Sequence, residues 1–379
     1  MKRIIFYTDN VGFGGHEDQT VEAAKYLCSQ PFLTVGFIFY EGNRKLYERL
    51  SKLTREGVPI CLFPIKICTK PLQNFRTPIS FSKIHTIKHL LNRFNPDMAV
   101  ISPGNMELCS LGLVAAKKSG YHTVSYIPQV DKLSSYGIRF GELRDILNEY
   151  YYLKLPDHFI TTTPQGKQTL IDRGASCPIS VVNIALDLKR YRFYDKQISK
   201  AEYATQNEYL IGLIGRIHFH KGHDFLVQSF AKYHQEMGNI KLLIVGDGPD
   251  LGRLKHLVAS EGLSNSVAFV PWMDDLSPIY SGLDMLIIPS RFDTGPLVML
   301  EAMYFGVPIV CASVGLSGIL PPQWVFPVAD TESFLKSFMA VRYGDFENEI
   351  NKNKLLIEQE FAIANLGPAF LRALSDNYK

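Results

Sequence analysis

No stretch of the sequence approaches the roughly 18 consecutive apolar residues of a membrane-spanning helix, so no integral span is expected. There is no C-x-x-C pair either. The six cysteines, at 28, 61, 68, 109, 177 and 311, are scattered, and no histidine stands at zinc-ligand spacing from them. Neither a metal site nor a disulfide framework is signalled, and a reducing, cytoplasmic compartment is expected. The opening MKRIIFYTDN holds only four apolar residues before Asp9, too few for the apolar segment of a secretory signal. Neither glycine turn described below carries the G-x-G-x-x-G spacing of a dinucleotide fingerprint, which counts against a nicotinamide-dependent oxidoreductase. Short repeats and low-complexity tracts are also lacking.

What is present is a chain of 379 residues, long enough for two domains, with 46% hydrophobic and 20% charged residues. Its net charge of +3 is a difference between unlike halves: residues 1–200 hold 27 Lys+Arg against 17 Asp+Glu (+10), and 201–379 hold 13 against 20 (−7). A basic half and an acidic half point to different partners, the basic one facing something anionic. Short apolar runs such as KRIIFYT, LTVGFIFY and DMAVISP alternate with helix-length amphipathic stretches in the first half. YLIGLIGR, IKLLIVGDG, DMLIIPS and VPIVCAS repeat the rhythm in the second. Nearly continuous apolar strands alternating with helices predict parallel sheets covered on both faces. The fold class is therefore α/β, with two Rossmann-like doubly wound domains. A polar, aperiodic stretch near 184–208 separates a first domain over 1–190 from a second over 205–360. The segment 361–379 reads as terminal helix packing back on the first domain.

Each half opens with a strand running into a glycine turn. In DNVGFGGHEDQTVEAAKYL, Gly14 and Gly15 precede a helix whose first N–H groups suit a phosphate. In LIGLIGRIHFHKGHDF, Arg216 and Lys221 stand at a strand-to-helix junction, one a bidentate fork and the other a point charge, a pairing suited to a diphosphate. His218, His220 and His223 surround Lys221 without metal-ligand spacing. Further on, SRFDTGPLVMLEAM sets Asp293 in a loop and Glu301 eight positions later among apolar residues. Eight helical positions rise about 12 Å at about 1.5 Å each. A retaining glycosidase dyad needs only about 5–5.5 Å. The two acids therefore suit contacts at opposite ends of one elongated ligand.

The order GRIHFHKG, VGDGP, DMLIIPS, acid-x7-Glu-Ala-Met and GVPIV over 210–330 resembles the GT-B retaining glycosyltransferases of glycosyltransferase family 4. The resemblance implies two Rossmann-like domains facing across a cleft, the first holding an acceptor and the second a nucleotide-sugar donor. It implies that Glu301 binds the donor ribose and that Asp293 lies near the transferred sugar. Arg216 and Lys221 would neutralise the diphosphate, and the backbone of Thr294, Gly295, Pro296, Leu297 and Val298 would reach sugar and phosphate. With Gly14 and Gly15 these form the donor-binding set, of which Arg216, Lys221 and Asp293 are the catalytic candidates. The implied activity is a retaining, metal-independent hexosyltransferase without a cofactor, UDP-sugar being the favoured donor. Its product would belong to cell-envelope or surface polysaccharide or glycoconjugate synthesis. No D-x-D run is present, in keeping with metal independence.

Two positions depart from the family. Its first acid is usually Glu and here is Asp293, and its strand-end histidine is replaced by Pro128. His16, Gln129 and Asp131 are the candidates for that role and for acceptor contacts. The alternative these departures raise is a nucleotide-sugar-binding partner protein without turnover. The segment SFSKIHTIKHLLNRF over 80–94 has the composition of an interfacial amphipathic helix as well as that of a surface helix packing on its own sheet. With the basic half it suggests a saccharide or lipid-linked acceptor, reversible association with an anionic membrane at its inner face, and no nucleic acid.

Overall fold

The structure is a computed structural model that describes residues 2–136 and 140–376. The chain divides into two compact units, residues 1–185 with 363–379, and residues 186–362.

The first unit is built on β1 (Lys2–Thr8), β2 (Leu33–Tyr40), β3 (Ile60–Ile65), β4 (Met98–Ile101), β5 (His122–Tyr126), β6 (His158–Thr161) and β7 (Ile179–Val181). The second carries β8 (Tyr209–Ile214), β9 (Ile240–Val245), β10 (Val267–Val270), β11 (Met285–Ile288), β12 (Ile309–Ala312) and β13 (Val325–Phe326). Both sheets are parallel, with strand orders β3-β2-β1-β4-β5-β6-β7 and β10-β9-β8-β11-β12-β13. The α/β, doubly wound class expected from the strand pattern is thus borne out.

The reason is visible along each strand. Side chains alternate across a strand, so a strand covered on both faces must be apolar at every position. Ile4 and Phe6 of β1 join one core with Val35 and Phe37, while Ile5 and Tyr7 join a second with Ile38 and Ile101. In each sheet the order reverses once, between β1 and β4 and between β8 and β11. There the crevice outside the carboxyl ends of the strands is the usual ligand site of such sheets.

The helix Ile363–Asp376 belongs to the first unit. It crosses the helix Gly15–Cys28 so closely that a Cβ on Gly367 would stand 2.0 Å from the Tyr26 ring. Phe370 stacks on Phe6 at 6.0 Å and meets Tyr126 edge-on at 5.0 Å. At the other division, residues 186–204 pack on the second unit rather than forming a free linker. Asp284 takes Lys196 at 2.9 Å and Lys200 at 2.7 Å, and Gly282 lets the Ser199–Lys200 backbone approach.

The helix Phe81–Phe94 settles one of the open alternatives. Its apolar stripe, Ile84, Ile87, Leu91 and Phe94, is buried in the core of the first unit, and the Phe94 ring lies where a Cβ on Gly36 would fall. That stripe is consumed by its own domain and is not available to a bilayer, which corrects its reading as an interfacial helix.

Candidate functional site

In the second unit the reversal point brings together the loop after β8 and the loop after β11. Three glycines let the loops approach. Gly222, at φ 70°, would place a Cβ 2.0 Å from Pro289 O, Gly246 would place one 2.0 Å from Gly215 O, and Gly315, at φ 51°, would place one 2.7 Å from Asp293 O. Only glycine tolerates both the left-handed backbone and the absent space. The two loops are then stitched by Arg291, whose backbone N–H donates to His220 O at 2.8 Å. Its guanidinium grips Asp224 at 2.7 and 3.1 Å while lying 4.2 Å over the Phe219 ring.

On this frame Lys221 Nζ reaches Asp293 at 2.5 Å, with the Asp293 side chain only 10% exposed. Arg216 is exposed and makes no hydrogen bond or ion pair among the described residues. His220 and His218 face each other, Nδ1 to Nδ1, at 2.8 Å, a contact that requires one ring to donate and the other to accept. Burial first, then the nearby Lys221, His218 and Arg216, push the His220 imidazole down to about 4. Burial is the largest cause of the depression, and the neighbouring Lys221 and Arg216 add positive charge beside the ring.

The helix Leu297–Phe305 starts at the same place. Pro296, its N-cap, offers no side-chain cap, and its first turn holds no acid. Its N-terminal dipole is therefore left for an outside anion. The first unit differs here. The helix Gly15–Cys28 is capped by its own Glu17, which accepts from Gly14 N at 2.9 Å and from Asn10 at 2.8 Å. Gly14 and Gly15 thus present a helix end already holding a carboxylate.

Glu301 lies one turn into the helix Leu297–Phe305, with its carboxylate spanned by two phenols. Tyr191 O–H donates to one oxygen at 2.7 Å and Tyr280 O–H to the other at 2.6 Å. Burial raises its pKa, opposed by the two tyrosines and by Arg190. A carboxylate offers about four lone-pair directions, so two tyrosine donors leave room for two hydroxyls of a ligand. Tyr191 and Tyr280 carry no motif signal and were missed, as were Arg291 and Asp224.

The remaining candidates lie in the first unit. His16 Nε2 contacts Ser102 Oγ at 2.8 Å, Ser102 meets Thr20 Oγ1 at 2.7 Å, and Thr20 donates back to His16 O at 2.8 Å. With the Thr20 proton used on that carbonyl, Ser102 donates to Thr20 and His16 donates through Nε2, which makes Nδ1 the acceptor. Burial drives this imidazole down to about 3, and its ring centroid lies 4.8 Å from that of Tyr126. Pro128 follows β5, and Gln129 beyond it bridges to Asn105. Asp131 is half-buried near the start of the turn Leu133–Tyr136.

Four imidazoles shielded from water, His158 and His223 buried and His16 and His220 half-buried, give a pH prediction. His16 is lowered to about 3, and His158, His220 and His223 to about 4, burial being the first cause in each. Their folded pKa values lie below the unfolded value of about 6.5, so below that pH the unfolded chain binds protons that the folded chain refuses. Stability is expected to fall as pH drops from about 6.5 towards 4, by at most about 1.4 kcal/mol per group per pH unit. Thermal midpoints measured between pH 7.5 and 4.5 check this; a flat profile would show that these rings protonate within the fold.

Residues 208–341 match the family model described as Glycosyl transferases group 1, and the two parallel, doubly wound sheets are those of the GT-B fold. An uncharacterized glycosyltransferase of Haemophilus influenzae is 25% identical over 313 residues, covering 82% of this chain and 80% of that protein. Another, from Methanocaldococcus jannaschii, is 34% identical over 175 residues, 44% of this chain and 43% of the relative. The chain thus spans four-fifths of one relative and under half of the other. Among solved structures, the Anabaena protein Alr3699/HepE in complex with UDP-glucose superposes with a TM-score of 0.75 at 18% identity, over 99% of this chain and 100% of that one. That likeness establishes the fold.

Proposed function

We propose that this protein is a configuration-retaining hexosyltransferase that needs no metal or cofactor and takes its sugar from a nucleoside-diphosphate sugar, a UDP-sugar first. The observation that carries the reading is the gathering of Arg216 and Lys221 around His220, with Lys221 on Asp293 just ahead of the uncapped N-terminus of the helix Leu297–Phe305 and the half-buried Glu301 one turn into that helix. In transfer, the bond between the anomeric carbon and the phosphate oxygen breaks with its electron pair going to the diphosphate. An acceptor hydroxyl oxygen then bonds to the same face of the sugar, and its proton passes to the departing diphosphate. The cost is charge on the leaving phosphates, and fixed cations with a helix dipole stabilise that charge as it grows. Lys221 has three N–H donors, so one can hold Asp293 while the others reach a phosphate. Asp293, in turn, would accept from a hydroxyl of the transferred sugar. Glu301 takes the ribose, its two free lone-pair directions facing a cis-diol. The UDP-glucose bound by the Anabaena protein of the same fold supports the choice of donor.

The acceptor in this proposal is a saccharide or a lipid-linked saccharide of the cell envelope, met at the cytoplasmic face of an anionic membrane. The basic excess supports it and survives the structural division. The first unit holds 24 Lys+Arg against 16 Asp+Glu (+8), the second 16 against 21 (−5), which sums to +3.

A panel of UDP-, GDP- and ADP-sugars incubated with the protein in chelator tests the proposal. Slow release of one nucleoside diphosphate is expected in the absence of acceptor, without loss on chelation. Tight binding without release from any donor would make the protein a nucleotide-sugar-binding partner instead.

A further inference from the structure

The helix Gly141–Asn148 in the first unit is turned inside out. Its buried face is Gly141, Asp145 and Asn148. The Asp145 carboxylate accepts the N–H groups of Leu133 at 2.7 Å and Ser134 at 3.0 Å, and the Ser134 hydroxyl at 2.7 Å. Gly141 lies so close that a Cβ would stand 2.5 Å from Ser134 Cα. Outward go Leu143 and Ile146, flanked by Phe140 and Tyr150, each more than half exposed. A helix that spends its polar residues on the fold and turns leucine and isoleucine outward presents an apolar face that a soluble domain would ordinarily bury.

A second exposed apolar stretch adjoins it. Asn74 donates to Asn148 Oδ1, fixing residues 72–81 beside this helix, and the stretch exposes Leu72, Phe75, Ile79 and Phe81. Together the two stretches hold eight of the twenty large apolar side chains exposed among the described residues, so the exposure is concentrated here. Charge names the occupant. Between Glu56 and Asp97 there is no acid, while Lys66, Lys70, Arg76, Lys83, Lys88 and Arg93 are all cationic, and they outweigh the exposed Glu142 of the neighbouring helix, whose Arg144 and Asp145 are held by Glu107 and by the Leu133–Ser134 backbone.

We propose that residues 72–81 and 140–150 form a docking surface for an anionic lipid membrane. The apolar side chains enter the headgroup boundary, and the cations, Lys70, Arg76 and Lys83 nearest among them, meet anionic headgroups. No helix among the described residues is long and apolar enough to cross a membrane, so this attachment is peripheral and reversible. The proposal gives the membrane association of the functional reading its surface, in place of the helix Phe81–Phe94. It stands apart from the donor chemistry, because vesicle binding is read without any sugar nucleotide.

The experiment is co-sedimentation of the full chain with vesicles of phosphatidylcholine alone and of phosphatidylcholine with phosphatidylglycerol, at low and high salt. The unaltered protein is expected to bind the anionic vesicles at low salt and to be largely released at high salt, since the headgroup attraction is screened within about 8–10 Å at physiological ionic strength. Leu143→Ser with Ile146→Ser, both at exposed positions, should lower partitioning about tenfold or more with an unchanged thermal midpoint. Lys70→Glu with Arg76→Glu should remove the preference for anionic lipid. Failure of the unaltered protein to bind anionic vesicles at low salt overturns the proposal, as does undiminished binding by the Leu143→Ser, Ile146→Ser protein. A concentration-dependent dimer abolished by that same pair would assign the face to a second copy of the chain and equally overturn it. Donor hydrolysis by the variants separates the two readings: loss of vesicle binding with hydrolysis intact leaves the transferase reading standing.

Discussion

Alanine at Lys221 is expected to lower kcat by about 10²-fold or more, beyond any loss of donor affinity, because the ammonium acts on charge that grows only as the diphosphate departs. The structure adds a complication and its control. Lys221 is the ion-pair partner of Asp293, which is 10% exposed, so alanine also leaves a nearly buried carboxylate without its cation. Lys221→Met combined with Asp293→Asn removes the pair together. If the lysine served only to neutralise Asp293, the double variant would match Asp293→Asn alone, whose own loss comes from the sugar contact proposed for that carboxylate. The expectation is that it is slower still, and that single-turnover rates stay down in both lysine variants while donor affinity changes less. Arg216, which has no partner to lose among the described residues, should behave more simply: Arg216→Ala should match the kinetic loss, and Arg216→Lys should not rescue it where the contact is a bidentate fork. A full single-turnover rate with only weakened donor binding would show that these cations bind and do not catalyse.

Glu301→Gln should weaken donor binding by about 1–3 kcal/mol, roughly a factor of 5 to 150, the range for losing hydrogen bonds to a charged group. The two phenols that span Glu301 sharpen the test. Tyr191→Phe and Tyr280→Phe keep the rings that pack on Phe305 at 5.8 and 5.4 Å and remove only the donated hydroxyls. The carboxylate is already raised by burial and held down by those two hydroxyls and Arg190, so losing the hydroxyls raises it further. Below its pKa a carboxyl group turns one acceptor site into a donor and loses the charge that strengthens the rest. Affinity for a ribonucleoside diphosphate should therefore fall off at higher pH in the Phe variants than in the unaltered protein, and the 2′-deoxy counterpart should lose less. Calorimetry with UDP and 2′-deoxy-UDP at pH 6 and pH 8 reads both effects. Tighter ribonucleotide binding in the Phe variants would mean that the tyrosines compete with the ribose for Glu301 instead of orienting it.

The strands were legible because the physics that forms them is local. A parallel strand covered on both faces must be apolar throughout, and IIFY, GFIFY and LLIV say so without their neighbours. The sheet class follows from the alternation of such runs with helices, and the glycine-bearing loops at 215–222 and 293–296 stand out because charged residues accompany glycine at the ends of apolar strands. The sequence by itself thus determined two doubly wound sheets and the identity of the cations, acids and glycines at their loops. Tertiary structure alone decided how those residues are used. The two partners of Glu301 lie 110 and 21 positions away and carry no motif, since a phenol meets a carboxylate only after the chain has folded back. Glu17 sits on the N-terminus of its own helix, which changes what Gly14 and Gly15 can bind, and only the backbone geometry shows it. The apolar stripe of the helix Phe81–Phe94 fits two readings on paper. Periodicity fixes that a stripe exists, but which face a helix turns inward depends on what it meets there. Phe81–Phe94 found the sheet, whereas Gly141–Asn148 found Ser134 and Asn74 for its polar side and was left with leucine and isoleucine facing out.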